Sequence, residues 1–587
     1  MAKSAPTKTR SGRKTPPSIA VPLLLALLLA LGFFIWKNAS HTDSSSISLP
    51  EIKPVETITP SKNPEETANV PQEPQLPEFS PAAVESTLPE KLISSTDVTI
   101  DNQAVTSFEL NDRIDFGLGS DYTDVQGIVT FRGNNFRDSA SFGTANITAS
   151  KFSTTPWTVS TSSLQSPSGA VWTGSGWVGQ PLMMTWPKEL RAKMNMYDWA
   201  KNAETLTEVI YATMDGNVYF LDLETGEKTR DPMNVGYTFK GAGALDPRGY
   251  PILYLGAGYD SAKGRSRAFV INLLDCSIMY EFGSGDPFSL RGTLSFFDGS
   301  ALVDAETDRL IYPGENGILY IMKLNTQYDA QAGKLSINPS QVIRWRYNGV
   351  RSSKSSYWWG MEDSAIIWRG HIIMSDNGGN LMCLDLNTLK LDWVQDVLDD
   401  TNCTPVLELE DGHPYVYTST SFHGGWRAPM NATASIPIWK IDAVTGEIVW
   451  QKSYDCYTQD GVSGGTQGTL AIGKNGLSDL IFVPVARTPD PSSGILAALN
   501  KHTGEVVWEI QTQMYSWSSP VTVYDQNGKG YLVFCTAGGY MYFIDGLTHE
   551  VYDHVDLGSN IEASPAVYNN TVVVGTRGQK IYGIKLT

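Results

Sequence analysis

Short apolar runs with a period of two make up most of the chain after about residue 205. Runs such as Asn217–Asp222 and Tyr540–Asp545 lie between turns that are rich in Gly, Asn and Asp. That pattern is typical of β-strands with one buried face. Helical periodicity is confined to residues 187–201, which we expect to form an inserted surface segment. The pattern therefore predicts an all-β fold.

One sequence unit recurs along the chain. Its complete form is a glycine, an apolar run that ends in Leu/Ile-Asp/Asn, a Thr-Gly-Glu turn and an aromatic residue. The acidic or amide position of successive units falls at Asp222, Asn272, Asn325, Asp385, Asp442, Asn500 and Asp545. A last copy, over residues 578–584, has no Thr-Gly turn after it. Eight units of roughly 40–60 residues with short strands predict an eight-bladed β-propeller with four strands per blade.

The turn and the aromatic residue have separate roles in this prediction. Glycine reaches positive φ at low cost, so Thr-Gly closes a tight turn between the third and fourth strands. Trp393, Trp450 and Trp508 then lie on fourth strands, where we expect them to pack on a neighbouring blade. The eighth unit has no fourth strand of its own. Residues 155–160, which include Trp157, have the form of that strand, and we predict that they close the ring, because an unpaired edge would otherwise be exposed.

These repeats resemble those of the pyrroloquinoline quinone (PQQ)-like propeller family, whose form is Gly-x-(Leu/Val)-Tyr-(Ala/Gly)-Leu-(Asp/Asn)-x-x-Thr-Gly-x-x-x-Trp. Phe131-Arg132-Gly133-Asn134, followed by Gly143, is similar to a lead-in found before many such propellers. The resemblance covers residues 128–587 and implies the propeller fold. The family includes quinoprotein dehydrogenases and the lipoprotein of the outer-membrane β-barrel assembly machinery, so the resemblance leaves the function open.

The N-terminal residues predict a membrane anchor. Residues 1–17 contain five Lys or Arg and no acid, and residues 19–36 contain no charge. A helix of 18 residues at about 1.5 Å per residue nearly spans the hydrocarbon core of a bilayer. We therefore predict a basic cytoplasmic tail (1–17), a single transmembrane signal anchor (18–36) and an extracytoplasmic remainder, following the positive-inside rule. A cleaved secretory signal is the alternative.

Residues 37–105 are rich in Ser, Thr, Glu and Pro and show no hydrophobic periodicity. Such a segment buries too little apolar surface to offset its ordering entropy. We predict a disordered linker that holds the propeller domain, residues 106–587, away from the membrane. Within that domain, residues 106–160 are the predicted lead-in and closing strand.

The net charge of the chain bears on its partners, whereas its cysteines and sequence motifs bear on its chemistry. The formal net charge of −18 argues against nucleic acid, because phosphate binding requires clustered Lys and Arg. The five cysteines are too few for a disulfide framework, although Cys403 and Cys456, near the start and end of one blade, leave a pairing open. No H-E-x-x-H, C-x-x-C-H or P-loop motif occurs.

The resemblance raises the question of a quinone cofactor. For PQQ-dependent dehydrogenases it implies two adjacent cysteines over the cofactor, a Ca²⁺ held by Glu and Asn, and an Asp base. None of the five cysteines here is adjacent to another. Residues 525–530 resemble part of a calcium loop but lack its distal Glu. We therefore expect neither PQQ nor calcium, and the sequence assigns no catalytic or metal-binding residue.

In a propeller, the loops that enter the innermost strands surround a central funnel where ligands bind. In this family a Ser-x-Pro-like element opens the inner strand, as at Ser519-Pro520. Exposed Trp and Arg are typical of binding surfaces, although funnel tryptophans also suit packing between blades. These openings, the aromatic stretch 355–363 and an insert in the fifth blade supply the predicted funnel residues Gln180, Lys240, Arg291, Trp358, Trp359, Glu362, Asn402, Trp426, Arg427, Asp460, Trp517 and Glu562.

The leading hypothesis is a membrane-anchored extracytoplasmic propeller that acts as a non-enzymatic binding or scaffolding module. Envelope proteins or cell-wall glycan are the expected partners. A PQQ-dependent alcohol or sugar oxidoreductase is the alternative from another functional class. A cell-wall glycan-binding module that uses Trp358, Trp359 and Trp426 is a second alternative.

Overall fold

The structure is a computed structural model that describes residues 78–587 apart from 293, 352–359, 423–431 and 460–462. These residues form the all-β, eight-bladed propeller that the repeats predict. The predicted tail and anchor, residues 1–36, lie outside the described residues. Within the described part of the chain, no helix combines the length and the apolar composition that crossing a bilayer requires.

Each blade is built on an antiparallel sheet of four strands, which follow one another in chain order except in blade 8. Blades 1 and 2 consist of Leu182–Thr185, Thr207–Ala212, Asn217–Asp222 and Met233–Asn234, then Ala244–Leu245, Ile252–Gly256, Ala268–Asn272 and Ser277–Phe282. Blades 3 and 4 consist of Leu302–Asp304, Arg309–Pro313, Ile318–Lys323 and Ser340–Gly349, then Ile366–Trp368, His371–Ser375, Asn380–Asp385 and Lys390–Asp396.

The second half of the ring has the same organisation. Blades 5 and 6 consist of Val406–Glu410, His413–Ser419, Thr433–Asp442 and Ile448–Tyr457, then Ala471–Ile472, Leu480–Ala486, Gly494–Asn500 and Val506–Thr512. Blades 7 and 8 consist of Val521–Tyr524, Gly530–Cys535, Tyr540–Asp545 and Val551–Asp556, then Ala566–Tyr568, Thr571–Thr576, Lys580–Lys585 and Trp157–Ser160.

Further short elements decorate the blades. The additional strands are Ile93–Ile100, Gln103–Val105, Gly127–Ile128, Ser141–Phe142, Ser163–Gln165, Val171–Thr173, Gln327–Asp329, Lys334–Ser336, Ser421–Phe422 and Gly464–Gly465. The α-helices are Lys188–Arg191 and Asp198–Asn202, within the segment predicted to be helical. The 3-10 helices are Glu85–Thr87, Pro89–Lys91, Gly119–Asp121 and Asn475–Leu477.

The N-terminal strand closes the ring as predicted. Trp157–Ser160 pairs antiparallel with Lys580–Lys585, the third strand of blade 8, with Gly583 opposite Trp157 and Lys580 opposite Ser160. The last blade is therefore completed by residues that precede the first blade in sequence. A strand edge that would otherwise be unpaired is covered by this arrangement.

A repeated contact joins neighbouring blades. The indole Nε1 of Trp393, on the outer strand of blade 4, donates to the carbonyl of Ala443 in blade 5 at 2.9 Å. Gly446 in the same turn of blade 5 has φ +75°, and a Cβ there would lie 2.7 Å from the Trp393 ring. Glycine is therefore required twice, for its positive φ and for the space that the indole occupies. The same indole-to-carbonyl bond joins the pairs Trp157–Leu223, Trp450–Lys501 and Trp508–Gly546.

Between blades 1 and 2, an arginine takes the place of the tryptophan. Arg230 stands five residues after Thr225, as Trp450 stands five residues after the Thr of its own turn. Its Nη1 donates to the carbonyl of Leu273 in blade 2 at 2.6 Å. Its Nη2 lies 2.5 Å from Glu208 Oε2, and both side chains are fully buried. The junction is conserved in geometry while its chemistry changes from an indole to a buried ion pair.

The prediction of a disordered linker over residues 37–105 is wrong at the C-terminal end of that segment. Ile93–Ile100 pairs antiparallel with the outer strand of blade 3, and Gln103–Val105 pairs with Ile93–Ile100 in turn. Upstream of this hairpin, the N–H of Ala82 donates to the carbonyl of Val444 in blade 5. A strand added to the outside of a blade exposes most of its side chains, so its polar composition does not exclude strand formation. Residues 37–77 lie outside the described residues.

One segment, residues 127–145, crosses the inner edges of the blades, and we call it the hub segment. Gly127–Ile128 pairs with the inner strand of blade 1, and Ser141–Phe142 runs parallel to the inner strand of blade 8. Backbone hydrogen bonds join it to blades 2, 4 and 5 at Leu245, Ile367 and Leu407. The lead-in that resembles those of the PQQ-like family lies inside this segment.

Two buried arginines complete the hub segment. Arg132 donates to the carbonyls of Leu470 and Pro520, beside the inner strands of blades 6 and 7. Arg137 donates to the carbonyls of Ser300 and Ala365, beside those of blades 3 and 4. Burial lowers the pKa of each arginine to about 10. Both therefore stay charged at neutral pH, and the hub segment contacts all eight blades.

Candidate functional site

A cavity of about 220 Å³ lies at the centre of the propeller. Its described lining residues, which come from blades 1 to 7, are Trp177, Val178, Lys240, Phe296, Glu315, Glu362, Asp400, Asn402, Ser463, Gln467 and Trp517. A smaller space shares Trp177, Glu362 and Asn402 with this cavity and reaches Phe131 of the hub segment. The structure thus brings four predicted funnel residues together, namely Lys240, Glu362, Asn402 and Trp517.

Lys240 lies among aromatic rings and carboxylates. Its ammonium nitrogen is 4.4 Å from the centroid of the Trp177 ring and 5.2 Å from that of Phe296. The same nitrogen is 3.0 Å from Asp298 Oδ2. Burial lowers the pKa of Lys240, but the attraction of Asp298 and the neighbouring carboxylates outweighs it, so the pKa is raised above its usual value. This lysine is therefore a fixed positive charge in the wall of the cavity.

Three carboxyl groups meet beside this lysine. Oxygens of Asp298, Glu315 and Glu362 lie within 4.8 Å of one another. Burial and the neighbouring carboxylates raise the pKa of Asp298 to about 6 and that of Glu315 to about 8. Arg291 Nη1 lies 3.1 Å from Glu315 Oε1. Glu315 therefore holds a proton in much of the population at neutral pH, which reduces the repulsion between the three groups.

Hydrogen bonds connect further polar groups of the cavity across blades 1, 4 and 5. Trp177 Nε1 donates to Glu362 Oε1 at 3.3 Å, and Asn377 Nδ2 donates to Glu362 Oε2 at 3.1 Å. Asn377 also donates to Asp400 Oδ1 at 2.8 Å, and Asn402 donates to Asp400 Oδ2 at 3.1 Å. This network fixes the positions of the groups that a ligand would meet.

The backbone at the cavity wall is strained. Trp177 and Val178 have φ of +56° and +46°, and a left-handed conformation is unfavourable for non-glycine residues, most of all for a β-branched one. The N–H of Val178 donates to the carbonyl of Glu562, and the Trp177 ring meets Trp517 edge-on at 5.9 Å between centroids. Such strain, about 1–3 kcal/mol per residue, is concentrated at functional sites.

The other predicted funnel residues have different positions. Gln180 is buried beneath the cavity, where it accepts a hydrogen bond from the N–H of Arg132 and donates to the carbonyl of Thr130. It therefore holds the hub segment. Glu562 accepts a hydrogen bond from Asn560 at 2.8 Å beside the strained turn. Predicted residues outside the described part of the chain are Trp358, Trp359, Trp426, Arg427 and Asp460, and these stay predictions.

Sequence reasoning missed several residues of the site, among them Trp177, Phe296, Asp298 and Glu315. Trp177 precedes the predicted Gln180-Pro181 opening by only three residues. Phe296 and Asp298 precede the inner strand of blade 3 in the same way. These three residues lie within six positions before the start of an inner strand, and their place in the sequence could have indicated them. Glu315 instead comes from the turn between the second and third strands of blade 3.

The residues present do not fit the quinone cofactor of the dehydrogenases that the repeats resemble. No disulfide joins Cys403 to Cys456 in the described part of the chain, and no two cysteines are adjacent in the sequence. Asp298 and Glu315 already pair with Lys240 and Arg291, so these two carboxyl groups are not free to hold a calcium ion. The site therefore offers neither the thiol ring nor the free carboxylates that such a cofactor needs.

Residues 343–526 match the protein-family model described as outer membrane protein assembly factor BamB. No curated protein sequence matches the chain.

Among solved structures, BamB from Moraxella catarrhalis is 17% identical, with 64% of this chain and 91% of that chain covered and a TM-score of 0.43. Quinohemoprotein alcohol dehydrogenase ADHIIG from Pseudomonas putida HK5 is 11% identical, with 81% and 83% covered and a TM-score of 0.49. Quinohemoprotein alcohol dehydrogenase from Comamonas testosteroni is 13% identical, with 81% and 83% covered and a TM-score of 0.40. Structural similarity at such low sequence identity does not indicate function. The family match over residues 343–526 confirms the resemblance predicted from the repeats: this part of the chain carries PQQ-like repeats of the BamB type.

Proposed function

We propose that the chain is a non-enzymatic binding module of the cell envelope, and that its central cavity receives a basic side chain of a partner protein. The observation that carries the proposal is the wall formed by Trp177, Trp517 and Glu362, where the Trp177 indole meets Trp517 edge-on and donates its Nε1–H to the Glu362 carboxylate. Aromatic rings beside a carboxylate attract Lys and, above all, Arg.

The size of the cavity supports a side chain as the ligand. About 220 Å³ is below the roughly 300–1,000 Å³ of pockets that enclose whole cofactors or drug-sized molecules. The strained Trp177–Val178 backbone supports a binding role as well, because a fold retains such strain where the side chain must point in one direction.

The envelope location in this proposal rests on the sequence. The basic tail and the uncharged stretch 19–36 predict an anchor, and the absence of a lipoprotein cysteine near it makes a transmembrane helix the proposed attachment. The match to the BamB family model supports a protein partner, because that family is an outer membrane protein assembly factor.

Site-specific photo-crosslinking in the full chain tests the proposal. A photoreactive residue at Trp517 should capture a partner protein on irradiation of whole cells, and mass spectrometry identifies the captured segment. A photoreactive residue at Leu547, which is 60% exposed on the outer turn of blade 7, is the control. The Glu362→Gln change should reduce capture from position 517 severalfold, because it removes the negative charge that the basic side chain approaches.

Capture of the same partner with equal yield from Trp517 and Leu547 would contradict the proposal, as would capture that is unchanged by Glu362→Gln. A captured segment without Lys or Arg would contradict the basic side chain and leave the binding role in place.

A further inference from the structure

Blade 4 brings together three side chains that are metal ligands elsewhere in proteins. His371, Cys383 and Asp392 come from its second, third and fourth strands, and their ligand atoms all lie within 4.8 Å of one another. His371 Nδ1 is 2.9 Å from Asp392 Oδ2, and Cys383 Sγ is 3.6 Å from the same oxygen. This group is separate from the central cavity, since none of the three lines it.

A β-bulge turns Asp392 toward the other two residues. Cys383 pairs with Trp393, and the next pair is Leu384 with Leu391, so Asp392 is the additional residue of the outer strand. Blades 5 and 6 have the same bulge directly before their tryptophans. The bulged residues there are Val449 and Val507, which are 49% and 50% exposed. Blade 4 therefore differs from blades 5 and 6 by a carboxylate at the position where the strand leaves the regular pairing.

The arrangement is not that of a reactive cysteine. The carboxylate lies between the thiol and the imidazole, so the imidazole does not act on the thiol as a base would in a Cys–His pair. Burial, followed by the charge of Asp392, raises the pKa of Cys383 well above its usual value. A thiol in that state is inert until a cation displaces its proton.

We propose that His371, Cys383 and Asp392 bind one Zn²⁺ ion. Imidazole nitrogen, thiolate sulfur and carboxylate oxygen are the ligands that zinc prefers, at about 2.0–2.3 Å, which places neighbouring ligand atoms about 3.2–3.8 Å apart. The observed separations need only small side-chain movements to reach those values. The fourth position is open to water, because His371 and Asp392 are 15% and 16% exposed. Binding releases the thiol proton to solvent, so that a neutral thiol and Zn²⁺ become a zinc thiolate and a free proton.

The metal would fix the N-terminal segment as well as blade 4. The ring of Phe79 meets His371 edge-on at 5.3 Å, and the N–H of Ala83 donates to the carbonyl of Asp392 at 3.0 Å. A zinc ion on these side chains therefore holds the strands and the segment that covers them in one arrangement. This inference does not depend on the proposed function of the central cavity.

Cobalt titration of the metal-free full chain tests the site, because Co²⁺ takes the place of Zn²⁺ and reports its ligands. We expect one equivalent of Co²⁺ to produce a thiolate-to-cobalt absorption band in the near ultraviolet, and one equivalent of Zn²⁺ to abolish it. Zinc should also raise the melting temperature of the metal-free protein. A wild-type protein that binds no Co²⁺ or Zn²⁺ at micromolar concentration would overturn the proposal without any variant.

Variants then identify the ligands. Asp392→Asn keeps the shape of a partly exposed side chain and should weaken Co²⁺ binding about tenfold or more, and Cys383→Ala should remove the charge-transfer band. The matched control is His413→Asn in blade 5, where His413 Nε2 lies 2.9 Å from Asp442 Oδ2 with no cysteine beside them. Loss of the band in the control alone, or a band that persists in Cys383→Ala, would contradict the assignment.

Discussion

The junctions between blades and the centre of the ring are held together in different ways. At four junctions a tryptophan of one blade donates to a carbonyl in the Asp-x-x-Thr-Gly turn of the next, or in the related turn of blades 6 and 7. At the centre, the hub segment occurs once and bonds to all eight blades through its backbone and through Arg132 and Arg137. The same indole-to-carbonyl contact recurs around the periphery, whereas the contacts that the hub segment makes at the centre differ from blade to blade.

This difference predicts how many blades a single substitution will destabilise. A junction contributes burial of one indole, and its loss affects two blades. The hub segment satisfies carbonyls in several blades at once, so loss of one of its arginines leaves buried acceptors without donors in blades that are far apart in sequence.

The largest effect is expected at the centre. Arg137→Ala removes the donor from the carbonyls of Phe131, Ser300 and Ala365, and each buried acceptor left alone costs about 1–3 kcal/mol. We expect the free energy of unfolding in urea to fall by about 4–6 kcal/mol. The control Arg265→Ala removes an arginine that bonds a carbonyl at the surface and should change it by less than about 0.5 kcal/mol. Equal effects would mean that the hub segment adds no more than a surface contact.

At the junctions, the effect should follow burial of the indole. Trp393 is fully buried, and Trp393→Ala should lower the free energy of unfolding by about 3–5 kcal/mol. Trp450 makes the same contact but is only partly buried, so Trp450→Ala should cost about half as much. Urea denaturation of both variants measures the difference. A larger effect at Trp450 would show that the hydrogen bond, not burial, determines the strength of a junction.

The turn that receives the indole gives a smaller and separable effect. Gly446→Ala combines a positive φ with a Cβ that would lie 2.7 Å from Trp393, and we expect a loss of about 2–3 kcal/mol. Gly412→Ala is the matched control, because Gly412 has φ +83° and no atom within 4 Å of the added Cβ. It should cost only about 1 kcal/mol. Thermal unfolding measures both variants. An equal loss of stability in the two would show that the Trp393 indole moves to accommodate the added methyl group, and that this contact is not tightly packed.

The smallest effect is a pH dependence from the central cavity. Since the pKa of Glu315 is raised to about 8, the folded chain holds a proton that the unfolded chain releases above about pH 4.5. Its contribution is therefore present below pH 4.5 and is lost as the pH rises to about 8. Glu315→Gln should flatten the fall of the melting temperature between pH 5 and 8. The exposed Glu505→Gln should leave the fall unchanged, and a Glu315→Gln profile that matches wild type would contradict the raised pKa.

The sequence predicted the periphery well because the periphery repeats. Trp393, Trp450 and Trp508 each stand five residues after the Thr of the preceding turn, and a recurring spacing is visible without any knowledge of the fold. Arg230 was missed although it has the same spacing, because the repeat pattern has an aromatic residue at that position. The polar strand Ile93–Ile100 was missed because an added outer strand buries too few apolar residues to show a pattern.

The centre was predicted only in part. Lys240, Glu362, Asn402 and Trp517 were found because they precede inner strands, and inner strands can be located from the repeats. The partners that set their chemistry, Trp177 among them, depend on a left-handed backbone and on contacts between different blades. Neither leaves a periodic signal in the sequence.

The sequence alone determined the fold class, the number of blades and the strand that closes the ring, because burial of one strand face and the φ of glycine are local properties. The tertiary structure decided which carboxyl groups meet Lys240, how Arg132 and Arg137 span the ring and why Asp392 faces His371 and Cys383. Those contacts join residues far apart in sequence, and their energies depend on distance and burial, which only the folded chain defines.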